Sequence, residues 1–238
     1  PHHGMVPHTF RSSGSYGSLG IHSMTRWLYR RVRVAPEGWP FVFPLAGATV
    51  LSALAGWWGV TGLGLVLTVG VALFFRDPER IIPQTPETVV SPADGRIMEI
   101  VPENMQTRRI SIFLSLWDVH INRAPYGGVV QSVVYTPGKF LAAYRQEASL
   151  VNEANTVTIA DHGRELIVKQ IAGVLARRIV CRVRPGDTLE KGQRYGLIRF
   201  GSRTDLLLPV TAEIAVQVGD VVRGGETILA FLKEPSGT

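Results

Sequence analysis

The hydrophobic residues of this chain follow two different patterns along its 238 residues. From Phe41 to Phe75, 35 consecutive residues carry no charged side chain. From about residue 88 onward, short runs rich in Val and Ile alternate with polar residues and end at Gly or Pro. The first pattern is typical of apolar helices and the second of β-strands. The sequence therefore predicts a mainly β domain over residues 81–238, preceded by an N-terminal hydrophobic helical segment.

A single straight helix over the uncharged stretch would be about 52 Å long, against a bilayer hydrocarbon core of about 30 Å. The sequence Gly56-Trp57-Trp58-Gly59 divides the stretch into two parts, which predicts a helical hairpin. Arginines flank the stretch on both sides: Arg26, Arg30, Arg31, Arg33, Arg76 and Arg80. By the positive-inside rule both ends then face the cytoplasm. We expect two short spans or a re-entrant hairpin at the cytoplasmic face of the cell membrane, with a hairpin buried in a soluble protein as the alternative.

The residues before the hairpin divide into two parts. Residues 1–23 are rich in Ser, Gly and His and lack hydrophobic periodicity, so we expect a disordered or tag-like tail. Residues 24–80 are expected to form a basic anchor followed by the hairpin. The anchor interleaves arginines with Trp27, Leu28 and Tyr29, which is typical of a segment that lies at an anionic membrane surface.

The charge composition narrows the class of partner. The formal net charge is +6, and 21 of the 25 basic residues are arginine, which favours an anionic partner such as a membrane surface. The arginines form no long basic run, which disfavours nucleic acid. The single cysteine, Cys181, excludes an intrachain disulfide and a CxxC metal cluster, and we expect no metal site.

A turn-like motif occurs twice in the β-rich part. Val183 and Val216 each begin the pattern V-x-x-G-D-x-x-x-x-G, at a spacing of 33 residues. In such a turn the glycine supplies a positive φ and the aspartate bonds to its own backbone. Repeated turns of this kind occur in small barrel-sandwich modules. The repeat therefore predicts a barrel-sandwich-hybrid-like architecture for the β-rich domain.

Three short clusters contain residues that could react. Ser91-Pro92-Ala93-Asp94-Gly95 has the pattern of a turn. In a strand, Asp118 and His120 would share one face, so that the carboxylate could orient the imidazole. Gly201-Ser202 separates two apolar runs, and it is either an ordinary hairpin corner or a serine on a strained peptide that can react. Each cluster taken alone also fits a purely structural role.

Together and in this order, the three clusters resemble the phosphatidylserine decarboxylases, which are membrane-bound pyruvoyl enzymes. The resemblance covers about residues 76–235. Stretches that occur in the family's order are RDPER, SPADG, DVHINRAP, YTPG, Asn152–Glu153 and KGQ…GLIRFGS. The hydrophobic hairpin resembles the compact bacterial and archaeal subgroup of the family.

The resemblance implies a proenzyme that cleaves itself between Gly201 and Ser202. The Ser202 hydroxyl would attack the Gly201 carbonyl, and elimination followed by hydrolysis would leave a pyruvoyl group in place of Ser202. His120 would act as the base, oriented by Asp94 or Asp118, and would also serve decarboxylation. The pyruvoyl group would form a Schiff base with the substrate amine and accept electrons as carbon dioxide leaves. No external cofactor is then needed.

The implied reaction converts phosphatidylserine into phosphatidylethanolamine, with archaetidylserine as an alternative substrate. Arg123, Arg199 and Arg203 are candidates to hold the phosphate or carboxylate of the substrate, or they are solvated charges at a membrane-facing rim. The implied partners are the anionic phospholipid membrane and the large and small chains of the cleaved protein, and a homo-oligomer is left open. Two positions depart from the family pattern. The corner reads Phe-Gly-Ser-Arg where Leu-Gly-Ser-Thr is best known, and Arg123 stands where larger relatives carry a second histidine.

Two other classes of function are alternatives. A non-catalytic, membrane-anchored barrel-sandwich adaptor would explain the hairpin and the repeated turns. It would give no reason for Asp94, His120 and Gly201-Ser202 to occur together. A serine hydrolase has less support, because the chain has neither G-x-S-x-G nor a histidine after Ser202.

Overall fold

The structure is a computed structural model that describes residues 32–145, 147–174, 178–199 and 201–233. The predicted tail over residues 1–23 and the basic residues 24–31 lie outside the described residues. The described chain is mainly β with a pair of helices near its N-terminal end, which confirms the predicted fold class. The domain boundaries drawn from the sequence stay predictions.

Two apolar helices, α1 (Trp39–Leu54) and α2 (Trp58–Phe74), form the predicted hairpin. The link between them contains Gly56, whose φ of 74° lies in the left-handed region that favours glycine. The break therefore falls at the Gly-Trp-Trp-Gly sequence that predicted it. Within the described residues, no helix is both long enough and apolar enough to cross a membrane.

Small and hydroxyl-bearing residues hold the two helices together. The hydroxyls of Ser52 and Thr61 lie 2.9 Å apart across the pair. A Cβ atom added to Gly64 would overlap the hydroxyl of Thr49, so the glycine permits the close approach of α2 to α1. Elsewhere the helices expose large apolar side chains, including Leu54, which is 80% exposed. The hairpin thus has an internal interface and a mostly apolar outer surface.

The β-rich part consists of short antiparallel strands. They are β1 (Val32–Val34), β2 (Arg76–Pro78), β3 (Thr88–Val90), β4 (Gly95–Pro102), β5 (Thr107–Leu114), β6 (Ile121–Arg123), β7 (Gly128–Thr136), β8 (Ala154–Asp161), β9 (Arg164–Ile171), β10 (Ile179–Cys181), β11 (Thr188–Leu189), β12 (Arg194–Ile198), β13 (Ser202–Pro209), β14 (Glu213–Ile214), β15 (Val221–Val222) and β16 (Ile228–Phe231). A single helical turn, α3 (Ala148–Val151), precedes β8.

Eight of these strands form a curled half-barrel sheet in the order β11-β7-β8-β9-β13-β5-β4-β15. Two smaller sheets have the orders β10-β12-β6 and β14-β16-β3, and β1 pairs with β2. Strand β13 is paired on both sides, with β5 and with β9. Alternate residues of the large sheet, such as Ile110, Ile112, Leu206 and Leu208, point into one fully buried core.

The repeated Gly-Asp motif forms the predicted turn in both copies. Gly186 and Gly219 have φ values of 93° and 97°. The carboxylate of Asp187 accepts a hydrogen bond from the backbone nitrogen three residues before it, at 2.8 Å. Asp220 does the same at 2.9 Å. The glycine and aspartate therefore have the conformational roles that the sequence predicted.

The two turns also dock in matching places. The backbone nitrogen of Gly186 donates to the carbonyl of Val130 in β7, at 2.8 Å. The nitrogen of Gly219 donates to the carbonyl of Ile97 in β4, at 2.9 Å. Ile97 and Val130 lie as far apart in sequence as the two turns do. This matching arrangement agrees with the barrel-sandwich interpretation and fixes the two ends of the large sheet.

Candidate active site

The Gly201-Ser202 corner lies where the chain enters the central strand β13. Gly201 has φ 63°, in the left-handed region that costs other residues energy. Ser202 is the first residue of β13 and pairs with Leu114 of β5. Its side chain is completely buried, and its Oγ has no hydrogen-bond partner among the described residues. A buried hydroxyl without a partner is costly for stability, which is typical of groups kept for chemistry.

The carbonyl of Gly201 packs against Gly173, a residue that the sequence did not single out. A Cβ atom added to Gly173 would overlap the carbonyl oxygen of Gly201 and would contact the Cβ of Ala143 at 3.3 Å. Position 173 therefore accepts only glycine if the Gly201 carbonyl is to keep its place. The one sequence signal was a glycine two residues after the end of the buried strand β9.

His120 is also buried, with 3% of its surface exposed. Its Nδ1 lies 3.0 Å from the backbone carbonyl of Asp118. Because a carbonyl only accepts hydrogen bonds, Nδ1 carries the proton and Nε2 presents a free lone pair. Nε2 has no hydrogen-bond partner among the described residues. The ring of Phe74 packs on the imidazole with ring centres 4.3 Å apart.

The electrostatic surroundings keep His120 neutral. Burial lowers the pKa of its imidazole to about 4, and the positive charge of Arg76 acts in the same direction. The carbonyl and the negative charge of Asp118 oppose this shift without cancelling it. At neutral pH the side chain is therefore an unprotonated imidazole, which is the form that a general base requires.

Backbone and side-chain contacts place the His120 segment next to the start of β13. The carbonyl of His120 accepts a hydrogen bond from the nitrogen of Ile198, at 3.2 Å. Two residues further on, the side-chain amide of Asn122 donates to the hydroxyl of Thr204, at 3.1 Å. Ser202 lies between Ile198 and Thr204 in the chain. The segment that carries His120 therefore contacts the chain on both sides of Ser202.

The expectation that Asp118 and His120 share a strand face is wrong. Strand β6 begins only at Ile121, and Asp118 belongs to a turn. Its carboxylate accepts hydrogen bonds from the backbone nitrogen of Ser115, at 2.8 Å, and from the Ser115 hydroxyl, at 2.6 Å. An aspartate that bonds to the backbone three residues earlier closes a turn rather than extending a strand. The backbone carbonyl of Asp118, not its carboxylate, contacts the imidazole.

Asp94 lies in the turn before β4, and its carboxylate bonds to residues other than His120. Its carboxylate forms an ion pair with Arg80, at 2.7 Å, and accepts a hydrogen bond from the nitrogen of Gly224, at 2.8 Å. Burial raises the pKa of the Asp94 carboxyl, while the charge of Arg80 acts against this shift. The negative charge of Asp118 also raises it, so the two carboxylates are close enough to interact. Which of them serves His120 stays a prediction.

The three candidate substrate-binding arginines occupy different environments. Arg123 is buried and donates to the carbonyls of Gly192 and Pro78, both at 3.0 Å, and its pKa falls to about 10 because of burial. Arg199 lies near the start of the hairpin, where its guanidinium is 5.2 Å from the ring centre of Phe41. Burial and the nearby charge of Arg178 lower the pKa of Arg199. Among the three arginines, Arg199 is partly exposed, whereas Arg123 and Arg203 are buried.

Arg203 is completely buried on the face of β13 opposite Ser202. It donates to the carboxylates of Asp205, at 2.6 Å, and Glu99, at 2.5 Å, and to the hydroxyl of Ser111, at 2.7 Å. Asp205 in turn accepts a hydrogen bond from Ser149, at 2.8 Å. These contacts give Arg203 a structural role. Its predicted contact with substrate stays a prediction, and its burial disfavours it.

A chain of buried amides supports the site and was missed in the sequence. The side-chain nitrogen of Gln170 donates to the oxygen of Asn122, at 2.8 Å, and the oxygen of Gln170 accepts from Asn155, at 3.0 Å. Asn122 in turn donates to Thr204. The chain therefore connects β8, β9, β6 and β13 beneath the corner. Because fully bonded buried amides fix one arrangement of their strands, these residues hold the His120 segment in register with β13.

Arranged in this way, the site has a glycine at positive φ, a buried serine hydroxyl without a hydrogen-bond partner among the described residues, and a neutral imidazole on a segment that contacts the chain on both sides of the serine. A protein that reacts at its own peptide bond would need groups of this kind at the serine. The profile of the phosphatidylserine decarboxylase family matches residues 67–230 of the chain.

Proteins named phosphatidylserine decarboxylase proenzyme are similar to most of the chain. The protein from Desulfotalea psychrophila is 44% identical over 85% of this chain and 98% of its own length. The protein from Symbiobacterium thermophilum is 48% identical over 86% of this chain and 98% of its own length. The protein from Cupriavidus pinatubonensis is 45% identical over 87% of this chain and 98% of its own length. The chain belongs to the phosphatidylserine decarboxylase family, which confirms the resemblance and the prediction of an enzyme.

Proposed function

We propose that this chain is a proenzyme that cleaves itself between Gly201 and Ser202 and then decarboxylates phosphatidylserine to phosphatidylethanolamine. The observation that carries the proposal is the buried hydroxyl of Ser202, which has no hydrogen-bond partner among the described residues and follows a glycine at positive φ. The names of the relatives, which include the word proenzyme, support both steps. Family membership also favours an enzyme over the adaptor and serine hydrolase alternatives.

The self-cleavage uses only atoms of this chain and one water molecule. Ser202 Oγ attacks the carbonyl carbon of Gly201 and transfers its proton to a base, and the C–N bond breaks as the amine takes a proton. The resulting ester joins Gly201 to the Ser202 side chain. Removal of the Ser202 α-proton breaks the Cβ–Oγ bond, which releases the Gly201 carboxylate and leaves dehydroalanine. Water then replaces the nitrogen, ammonia leaves, and a pyruvoyl group remains at position 202.

His120 is the residue best suited to be the base in these steps. Its Nε2 has no hydrogen-bond partner in the part of the chain that the structure describes, its tautomer is fixed by the Asp118 carbonyl, and its pKa of about 4 keeps it unprotonated at neutral pH. General bases must lie within hydrogen-bond reach of the proton that they take. The contacts that bracket Ser202 place the His120 segment beside the start of β13.

The residues around position 202 fit a pyruvoyl group. Ser202 is fully buried, so a group at this position is shielded from water, and the conformation of Gly201 directs the chain sharply into β13. When formed there, such a group would supply an electrophilic carbonyl for the substrate amine and an electron sink for decarboxylation. The part of His120 is to hold or deliver a proton at the carbon that loses carbon dioxide. Arg199 is placed to attract the anionic headgroup.

We further propose that the hairpin of α1 and α2 attaches the enzyme to the cytoplasmic face of the membrane. Its outer surface is apolar, as the exposed Leu51, Trp58 and Leu63 illustrate. Large exposed apolar patches mark membrane or protein contacts rather than water-facing surface. The net positive charge of the chain favours an anionic leaflet.

The test is the intact mass of the purified protein under denaturing conditions. The proposal predicts a small chain of residues 202–238, of roughly 4 kDa, lighter than a serine-started chain by one ammonia molecule. Ser202→Ala should give one uncleaved, inactive chain. Ser132→Ala, which changes a hydroxyl in β7 away from the corner, is the matched control and should split normally. A wild-type protein that stays intact, yet decarboxylates phosphatidylserine, would overturn the proposed self-cleavage.

A further inference from the structure

An apolar groove runs between helix α2 and the turn Ser115–Asp118. Its volume is about 640 Å³, within the range typical of small-molecule sites. One wall consists of α2 residues that include Val66, Leu67 and Leu73, and the other of Leu116 and Trp117. Trp117 is 85% exposed. The groove is therefore open along its length and apolar on both sides.

A glycine in α2 makes part of this space available. Gly70 lines the groove, and a Cβ atom added to it would have no other atom within 4 Å. A longer side chain at this position would consequently fill the groove without a clash at its first carbon. Gly62, two turns earlier in the same helix, also has open space at its Cβ position but does not line the groove.

The groove begins at the candidate active site. Phe74 lines its inner end and packs on the imidazole of His120, with ring centres 4.3 Å apart. The turn that supplies Trp117 also contains Asp118, whose carbonyl fixes His120. A ligand in the groove would thus lie one aromatic ring away from the imidazole.

A cation lies at the same end of the groove. Arg76 lines it, and its guanidinium donates to the carbonyl of Leu73, at 2.8 Å, and to the carbonyl of Trp117. These two hydrogen bonds join α2 to the turn and fix the position of the charge. A guanidinium has five N–H donors, so others can bind an anion. The groove therefore combines an apolar channel with one positive charge beside the reaction centre.

We propose that this groove holds one acyl chain of the phospholipid substrate, with the phosphate end directed toward Arg76. The inference rests on the proposed function. A phosphatidyl substrate carries long apolar chains directly attached to an anionic headgroup. An apolar channel that ends in a guanidinium next to His120 matches that order of groups. The enzyme would then select a substrate by its chain as well as by its headgroup.

The experiment fills the groove and compares substrates of different chain length. Gly70→Leu and the matched control Gly62→Leu are assayed with dipalmitoyl-phosphatidylserine and with the soluble dihexanoyl form, both in the same detergent micelles. Displacing even two chain methylenes from an apolar surface weakens binding about tenfold. We expect Gly70→Leu to raise the KM for the long-chain substrate about tenfold or more, and Gly70→Ala to raise it less. The short-chain substrate should be turned over as by the wild type, and Gly62→Leu should affect neither substrate.

Chain splitting reports folding in the same samples, because a variant that splits like the wild type has an intact corner. Equal behaviour of Gly70→Leu and Gly62→Leu with both substrates would overturn the acyl-chain assignment. So would an equal loss of Gly70→Leu activity on short and long chains, since that would indicate a disturbed Phe74–His120 contact. A wild-type protein that splits but decarboxylates neither lipid would overturn the proposed function itself.

Discussion

The carbonyl group of Gly201 lies against the Cα of Gly173, in the space that any side chain at position 173 would occupy. The carbon of that carbonyl is the atom that Ser202 attacks in the proposed self-cleavage. Gly173 therefore determines where the scissile carbonyl can lie, although it comes from a different strand end. In the proposed reaction it would act together with the Ser202 hydroxyl and the Nε2 of His120, neither of which has a hydrogen-bond partner among the described residues.

We expect Gly173→Ala to slow chain splitting by up to about a hundredfold, because displacing a reacting atom by about 1 Å has an effect of that size. The rate is measured from the fraction of split chain against time on denaturing gels. The fraction that does mature should decarboxylate at the wild-type rate per pyruvoyl group. Gly59→Ala, with open space at its Cβ, is the control. Splitting of Gly173→Ala at the wild-type rate would show that the contact has no part in maturation.

The pH dependence of splitting follows from the lowered pKa of His120. With a pKa of about 4, the imidazole is already unprotonated above about pH 5, so the splitting rate should be flat from there to neutral pH. Below about pH 4 the rate should fall about tenfold per pH unit, as the base becomes protonated. Freshly refolded precursor, sampled by mass spectrometry at each pH, gives this profile. His162→Ala, which removes an exposed histidine in a turn, should leave the profile unchanged. An inflection near pH 6.5 would contradict the buried, neutral state of His120.

Replacement of His120 tests its role directly. His120→Gln keeps a side chain of similar length and one hydrogen-bond donor, but it has no basic nitrogen. We expect splitting to slow by about a hundredfold to ten thousandfold, the range for loss of a general base. An unchanged splitting rate would remove His120 from maturation, and the mature fraction would then report on its part in decarboxylation.

The same pKa shift makes the precursor less stable in mild acid. The folded imidazole has a pKa of about 4, below the ordinary value of 6.5, so the unfolded chain binds the proton more readily. The free energy of unfolding is therefore highest above about pH 6.5. It decreases as the pH falls toward 4, by at most about 3 kcal/mol. Urea unfolding of the Ser202→Ala precursor at pH 7 and pH 5 measures this loss. Adding His120→Gln should reduce the difference between the two pH values, whereas an unchanged difference would assign it to other groups.

Arg203 and Arg199 should respond differently to substitution. Arg203→Ala removes the ion pairs of Arg203 with the buried carboxylate of Asp205 and with Glu99, and breaking a buried ion pair typically costs about 3–5 kcal/mol of stability. Arg199→Ala should leave the free energy of unfolding almost unchanged and raise the KM for phosphatidylserine. Urea unfolding in the Ser202→Ala background and steady-state kinetics separate the two effects. A stable Arg203→Ala protein with a raised KM would restore the substrate-binding role first predicted for it.

The features that the sequence predicted are those specified by nearby residues. The hairpin break at Gly56 and the Gly-Asp turns at Gly186 and Gly219 depend on local conformational preferences. Strand-like runs were recognisable for the same reason. The pairing of these strands brings together residues that are far apart in sequence, and no local pattern contains that information.

The errors and omissions at the site have this long-range origin. Asp118 was predicted to share one strand face with His120, but its carboxylate closes a turn onto Ser115. The packing of Gly173 on Gly201 depends on the antiparallel register of β9 and β13. The burial of Arg203 likewise follows from its place on a strand that is covered on both faces. The Ser202 and His120 predictions depended on family resemblance, since each motif alone fits an ordinary turn.

The position of β13 has a consequence for the lifetime of the enzyme. The proposed cut lies at the first residue of a strand that pairs along its length with β5 and also with β9. The small chain would therefore remain fixed in the sheet after cleavage, and its release would require unfolding of the core. A pyruvoyl group formed at the first residue of such a strand would not be exchanged or reloaded as a dissociable cofactor is. Each molecule would consequently form its reactive group once, and lost activity would be restored only by synthesis of a new chain.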